Sequence, residues 1–322
     1  MPTIGMLNEN PLHAAIKARF AGPDARGGVS AKLATILLRW RFAGWSNGTV
    51  AQQRTRQEGS GRFMRLPKQV RCQPVDVDGI PAEWIETPDA TLGVMLYLHG
   101  GAYSLGSVVT HRELIARLAG ATRRKALAIN YRLAPENPFP AALDDTVAAY
   151  LWLLAQGISP DRIVIAGDSA GGGLAIAALV ALRDAGTALP AAAVCLSPWF
   201  DLTLSGASVR TQAAADPILD STSLNRYARA YAAGHPLNHP LLSPLFADLR
   251  GLPPVLLQVG SEEILFDDST RLAEDARAAG VAVTLQTWEG LFHVFQMFSF
   301  LPETARAVEH VAKFVSNIAE TS

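Results

Sequence analysis

The chain has 322 residues, 49% of them hydrophobic and 18% charged, with a formal net charge of −1. This supplies core for one large α/β domain with a modest insertion, or for two small domains, and excludes global disorder. Near-neutrality leaves no basic excess to meet phosphates and no pull toward anionic lipid, which argues against nucleic-acid and membrane-surface partners.

The opening MPTIGMLNENPLHAAIK lacks a basic start followed by an apolar core, so it does not read as a secretory signal. The longest apolar stretch, from Gly171 to Leu182, is too short to span a bilayer, and a cytoplasmic protein is expected. Ser30 can cap a helix over 31–42, where apolar residues recur at helical spacing. The polar Gln/Arg/Gly stretch that follows reads as helical and loosely packed up to about residue 70. Two strands, 70–76 and 82–86, flank the turn Asp78-Gly79. Beyond them strands at 94–98, 126–131, 162–166, 192–196, 254–260 and 281–288 alternate with helices at 111–120, 141–156, 172–184, 269–279 and 303–320. That alternation predicts a mostly parallel sheet covered by helices on both faces. The stretch from about 203 to 250 is rich in Pro, Leu and Ala with little strand character, and reads as an insertion above the sheet.

Gly167-Asp168-Ser169-Ala170-Gly171 matches G-x-S-x-G between a strand and a helix. A turn this tight strains the serine backbone and needs small residues two positions either side. It leaves the Ser169 Oγ exposed at the sheet edge and at a helix N-terminus, which favours developing negative charge. The same glycines resemble a dinucleotide-binding turn, but the spacing is not G-x-G-x-x-G, the turn lies mid-chain, and no Tyr-x-x-x-Lys follows.

His99-Gly100-Gly101-Ala102-Tyr103 also follows a strand. A glycine pair lets backbone N–H groups converge on one point, and with the Ala170 N–H the loop would supply two or three donors to an oxyanion. Each donor is worth about 3 kcal/mol at such a transition state. His99 itself reads as a structural hydrogen-bonding residue.

The chain order expected after such a serine is acid, then histidine. Of seven histidines, His13, His99 and His111 precede Ser169, His235 and His239 precede any strand that could carry the acid, and His310 lies in the final helix. His293, between the last strand and last helix, is the candidate general base. The acid falls within Ser261–Asp268, where Glu263 directly follows the strand edge and precedes an apolar pair; Glu262 and Asp267 are the alternatives. Cys195 reads as a buried thiol, Cys72 has no evident role, a bond between them is open, and no C-x-x-C spacing points to zinc.

The segments HGGAY (99–103), NYRLAPENPFPAALDD (130–145), GDSAGG (167–172), LSPWFDL (196–202), SEEILFDD (261–268) and GLFHVF (290–295) together resemble the hormone-sensitive-lipase family of bacterial carboxylesterases. The resemblance spans about 90 to 300 and implies an α/β-hydrolase fold. The family's acid-x-Leu-x-Asp motif falls on Glu263 to Asp267, which supports Glu263; the family more often has Asp there, one methylene shorter. By the same resemblance the oxyanion donors map to Gly100, Gly101 or Ala102, and Ala170. A cap is implied from residues 1–45 and about 203–240, leaving 46–322 as the catalytic domain with its insertion. Short-acyl ester substrates, no cofactor, no metal and, in many members, a homodimer are implied too.

The expectation is therefore a small-molecule ester hydrolase acting through Ser169, His293 and Glu263 by an acyl-enzyme. Tyr103, Phe200, Ile218, Leu219, Leu291 and Val294 are the expected pocket residues. A lactone, amide or carbamate hydrolase with the same triad is one alternative. A ligand-binding relative without catalysis, which would require a broken triad, is another, and a plain interaction module a third.

Overall fold

The computed structural model describes residues 21–26, 35, 37–39, 44, 47–61, 66 and 68–321. Nine strands form one sheet in the spatial order β1-β9-β8-β7-β6-β4-β5-β3-β2. The strands are β1 (Ala21–Arg26), β2 (Arg71–Val77), β3 (Ile80–Glu86), β4 (Val94–Leu98), β5 (Lys125–Ile129), β6 (Ile163–Asp168), β7 (Ala192–Leu196), β8 (Val255–Gly260) and β9 (Val283–Glu289). β2 and β3 are antiparallel to each other, and β3 to β5, while all other pairs are parallel. The β2–β3 hairpin turns on Asp78 and Gly79, both at positive φ, with the Gly79 N–H donating to Asp76 Oδ1 at 2.7 Å.

Alternate side chains of the central strands feed two cores, as the period of two requires. Val94, Leu96 and Leu98 of β4 pack with α3 (Ala141–Ala155), α4 (Ala170–Asp184) and α6 (Phe266–Ala278) on one face. Met95 and Tyr97 pack with α2 (Val108–Thr122) and α7 (Pro302–Thr321) on the other. The alternation expected from the sequence thus gives a mostly parallel sheet with two helical layers.

Two helices start earlier than expected. α2 starts at Val108, ahead of the expected 111, because Ser107 and Thr110 form a reciprocal capping box. α4 starts at Ala170, directly after Ser169, rather than at 172.

The insertion holds one helical turn, Ser208–Thr211, and α5 (Ser221–Ala232), capped by Asp220. It reaches over the ends of the parallel strands, where Tyr231 of α5 stacks on Tyr103 at 3.9 Å between ring centroids.

Of the helix expected over 31–42, Thr35 and Leu37–Arg39 are described, and they are helical; the remainder lies outside the described residues. The following segment is not loosely packed. α1 (Val50–Gly61) is anchored through polar groups: Arg54 donates to Ser104 O at 2.8 Å and Ala134 O at 2.7 Å and pairs with Glu136. Gln57 Oε1 accepts from the Gly106 N–H at 2.9 Å. Anchors of this kind leave no apolar period to read. Cys72 on β2 and Cys195 on β7 are both free thiols.

Candidate active site

The loops after β4, β6, β7, β8 and β9 converge at the C-terminal edge of the sheet. Ser169 sits between β6 and α4 with φ 52° and ψ −121°, a strained conformation for a residue with a side chain. The frame around it is closed on both sides. A Cβ on Gly171 would lie 2.0 Å from Leu98 O, and one on Gly167 would lie 2.4 Å from Gly171 O. The Ser169 N–H donates to Leu196 O at 2.8 Å, and its carbonyl accepts from Trp199 N at 2.9 Å, so β7 and its loop hold the strained turn.

His293, in the loop after β9, places Nε2 3.0 Å from Ser169 Oγ and Nδ1 2.9 Å from Glu263 Oε2. With Nδ1 protonated, the imidazole donates to Glu263 and accepts from the serine hydroxyl. Glu263 is wholly buried at the turn after β8. Its Oε1 accepts from the Gly260 N–H at 2.6 Å and from Ser197 Oγ at 2.7 Å, and Ser197 Oγ in turn accepts from the Val294 N–H at 2.9 Å. The alternatives for the acid lie elsewhere: Asp267 Oδ2 accepts from the Ser208 N–H, and Glu262 is a half-buried neighbour of Leu291.

Burial lowers the His293 pKa, but the Glu263 hydrogen bond and charge, then the charges of Asp216 and Asp168, outweigh it and leave it raised. Asp216 was not anticipated. It comes from the insertion, and its carboxylate accepts from the N–H groups of Ile218, Leu219 and Ile264, the last being next to Glu263. Burial pushes its pKa up to about 6.

The oxyanion loop bends through positive φ at Gly101 (125°), Ala102 (51°) and Tyr103 (58°). At Gly101 a Cβ would lie 2.2 Å from Leu105 O, which explains the glycine. One expected donor is corrected: the Gly100 N–H donates to Asp168 Oδ1 at 3.0 Å and is not available to a ligand. The N–H groups of Gly101, Ala102 and Ala170 meet no acceptor among the described residues. His99 is structural, as expected: its ring stacks on Tyr131 at 4.3 Å, and the Tyr131 hydroxyl donates to His99 O at 2.6 Å.

The expected pocket residues divide. Ile218 and Leu219 are half-buried on the insertion, while Tyr103 and Val294 keep a sliver of exposure beside the triad. Phe200 and Leu291 are corrected: both are 0% exposed, so they touch no open space and act as packing beneath the site.

Sequence reasoning missed Ser197 and Asp216, and it assigned nothing to Asp168 or His111. No spacing rule marks them; each acquires its place through contacts across distant segments. Among the described residues, no group of three or more His, Cys, Asp or Glu side chains is arranged to hold a metal ion.

A family model described as alpha/beta hydrolase fold matches residues 95–297. The chain is 48% identical over 285 residues to an acetyl-hydrolase of Streptomyces hygroscopicus, covering 87% of this chain and 93% of that one. An esterase of Acinetobacter venetianus is 38% identical over 251 residues, covering 77% and 83%. Among solved structures, an esterase from the bacterial hormone-sensitive lipase family superposes with a TM-score of 0.88 at 44% identity, covering 91% of this chain and 99% of that one.

Proposed function

The chain belongs to the alpha/beta-hydrolase family, in its hormone-sensitive-lipase-like branch, and on that premise we propose that it hydrolyses short-acyl carboxylic esters through Ser169, His293 and Glu263. The observation that carries this reading is the unbroken line from Ser169 Oγ through His293 to Glu263, at 3.0 and 2.9 Å, beside three backbone N–H groups without acceptors. The relatives' names, acetyl-hydrolase and esterase, support the same substrate class.

In the proposed reaction His293 Nε2 takes the hydroxyl proton as Ser169 Oγ bonds to the ester carbonyl carbon. The carbonyl oxygen becomes an oxyanion held by the N–H groups of Gly101, Ala102 and Ala170, at the N-terminus of α4. His293 then gives its proton to the departing alkoxide, leaving an acyl-Ser169 ester and an alcohol. A water, deprotonated by His293, attacks the acyl carbon, and collapse returns the proton to Ser169 with release of the carboxylic acid. Glu263 keeps Nδ1 protonated and stabilises the imidazolium in both halves.

The preference for short acyl groups rests on aromatic filling beside the oxyanion loop, where Tyr103 stacks on Tyr231 and meets Trp199 in a tilted contact at 6.2 Å between ring centroids. Hydrolysis of p-nitrophenyl acetate, butyrate and decanoate by the wild type and by Ser169→Ala tests the proposal. The expected result is faster turnover of the short esters and loss of nearly all activity in Ser169→Ala. A wild type inactive on every ester, or a Ser169→Ala variant at full rate, would overturn it and bring a ligand-binding role forward.

A further inference from the structure

Behind the oxyanion loop lies a buried polar cluster that the proposed reaction does not use directly. Asp168 Oδ1 accepts from the Tyr97 hydroxyl at 2.8 Å and the Gly100 N–H at 3.0 Å, so it ties the residue before Ser169 to the oxyanion loop. Its Oδ2 faces His111 Nε2 at 3.3 Å. On the other side of the ring, His111 Nδ1 lies 3.0 Å from Ser107 O and 2.8 Å from Thr110 Oγ1. The Thr110 hydroxyl also reaches Ser107 O at 2.8 Å, and Ser107 Oγ donates to Glu58 of α1. Both His111 and Asp168 are buried.

The protonation states of His111 suit this setting to different degrees. A proton on Nδ1 alone turns the Nε2 lone pair toward the Asp168 carboxylate. A proton on Nε2 alone donates to Asp168 and leaves Nδ1 to accept from the Thr110 hydroxyl, with the Ser107 carbonyl oxygen 3.0 Å from the same lone pair. An imidazolium donates on both sides. It also neutralises Asp168, whose uncompensated charge would stand one residue from the nucleophile and oppose an oxyanion forming there.

We propose that His111 is a positioning residue, a buried imidazolium that holds and neutralises Asp168 so that Gly100 and the oxyanion loop keep their productive geometry. The proposal rests on the esterase reading for its kinetic consequence but not for the charge state of the ring. The groups facing His111 are Asp168 on β6, Glu58 on α1, and the uncharged His99 after β4, with Tyr97 on β4 reaching the same carboxylate. Burial lowers the His111 pKa, but Asp168, the Ser107 carbonyl and Glu58 together raise it. Burial and His111 hold His99 down at about 3. The ion pair dissolves as pH rises through the raised His111 pKa.

Two measurements test this. The first is the side-chain 15N spectrum of the wild-type protein, with His111 assigned by its loss in His111→Gln. Both ring nitrogens protonated at pH 7 is the expected result, and a neutral ring at that pH overturns the proposal whatever the protein hydrolyses. The second compares kcat and KM for p-nitrophenyl acetate in His111→Gln, Asp168→Asn and the double variant. His111→Gln should lower kcat roughly tenfold with KM little changed, and should abolish the alkaline fall in kcat that the proposal expects of the wild type. The double variant pairs a neutral amide with a neutral amide and should recover most of that loss. A double variant no faster than His111→Gln, with both folded by circular dichroism, would reject the charge-neutralising role. A wild type that cleaves no ester would instead sink the esterase reading and leave the spectroscopic result standing.

Discussion

Three carboxylates from three different elements press on the His293 imidazole: Glu263 after β8, Asp216 in the insertion and Asp168 at the end of β6. The ring must be neutral at Nε2 to take the serine proton, and its pKa is raised from 6.5. Activity is therefore expected to be lost as pH falls through a value above 6.5, and kcat/KM against pH reads that limb directly. Replacing Glu263 by Gln removes the largest of the raising influences. The limb should move to lower pH, and kcat should fall by about 10³–10⁴, since an amide no longer enforces the Nδ1–H tautomer. Asp216→Asn should move the limb the same way by a smaller amount, with a far smaller loss of plateau rate. A limb that stays in place in both variants would contradict this account of the field. Ser197 is a quieter contributor: its hydroxyl bridges Glu263 and the Val294 N–H. Ser197→Ala is expected to lower kcat about tenfold by removing one of the two donors to Glu263 Oε1.

β4 confines the strained nucleophile turn, and α1 ties the loops beside it. β4 runs so close to the start of α4 that Gly171 has no room for a side chain, a Cβ there meeting Leu98 O at 2.0 Å. Backbone cannot yield as a side chain end can, so Gly171→Ala should destabilise the fold by about 3 kcal/mol or more, measured by urea unfolding. α1 acts at the same edge from outside. Arg54 donates to carbonyls of two loops at once, Ser104 O after the oxyanion turn and Ala134 O after β5. Arg54→Ala should lower the unfolding free energy by about 1–2 kcal/mol, since bonds from a charged donor to partly buried carbonyls exceed the exposed Glu136 pair in value. A variant with unchanged stability would show that α1 merely lies on the surface.

The sheet places the loops, and the stretch between β7 and β8 packs against them. Contact between the two parts includes the Tyr103–Tyr231 stack, with Phe139 edge-on to Tyr231 at 6.0 Å, and the bonds of Asp216 to Ile264 and of Ser208 to Asp267. Such a stack is worth about 1 kcal/mol beyond its buried area, and it fills space beside the oxyanion loop. Tyr231→Ala should therefore raise the ratio of decanoate to acetate hydrolysis. An unchanged ratio, in a variant that remains folded, would place the acyl chain elsewhere. No helix among the described residues is long and apolar enough to cross a membrane.

Much of this site was legible in the amino-acid order because its constraints are local. A strand, a glycine-flanked serine and a helix form one short steric unit, so Ser169 could be named from five residues. Chain order in a parallel sheet, where each loop at one edge comes after its own strand, leads to His293 and to the stretch 261–268, within which Glu263 is preferred with the support of the family motif. The alternation of strands and helices carries the two-layer architecture for the same reason. Other features depend on groups far apart in the chain meeting in space, and no period records such meetings. That the Gly100 N–H belongs to Asp168, that Phe200 and Leu291 are packing, and that α1 is held by Arg54 rather than by an apolar face were decided in three dimensions. So were the places of Ser197, Asp216 and His111, polar side chains whose roles arise from burial beside a partner. Short-range sterics and periodicity select the chemistry of this protein; long-range packing selects which neighbours tune it.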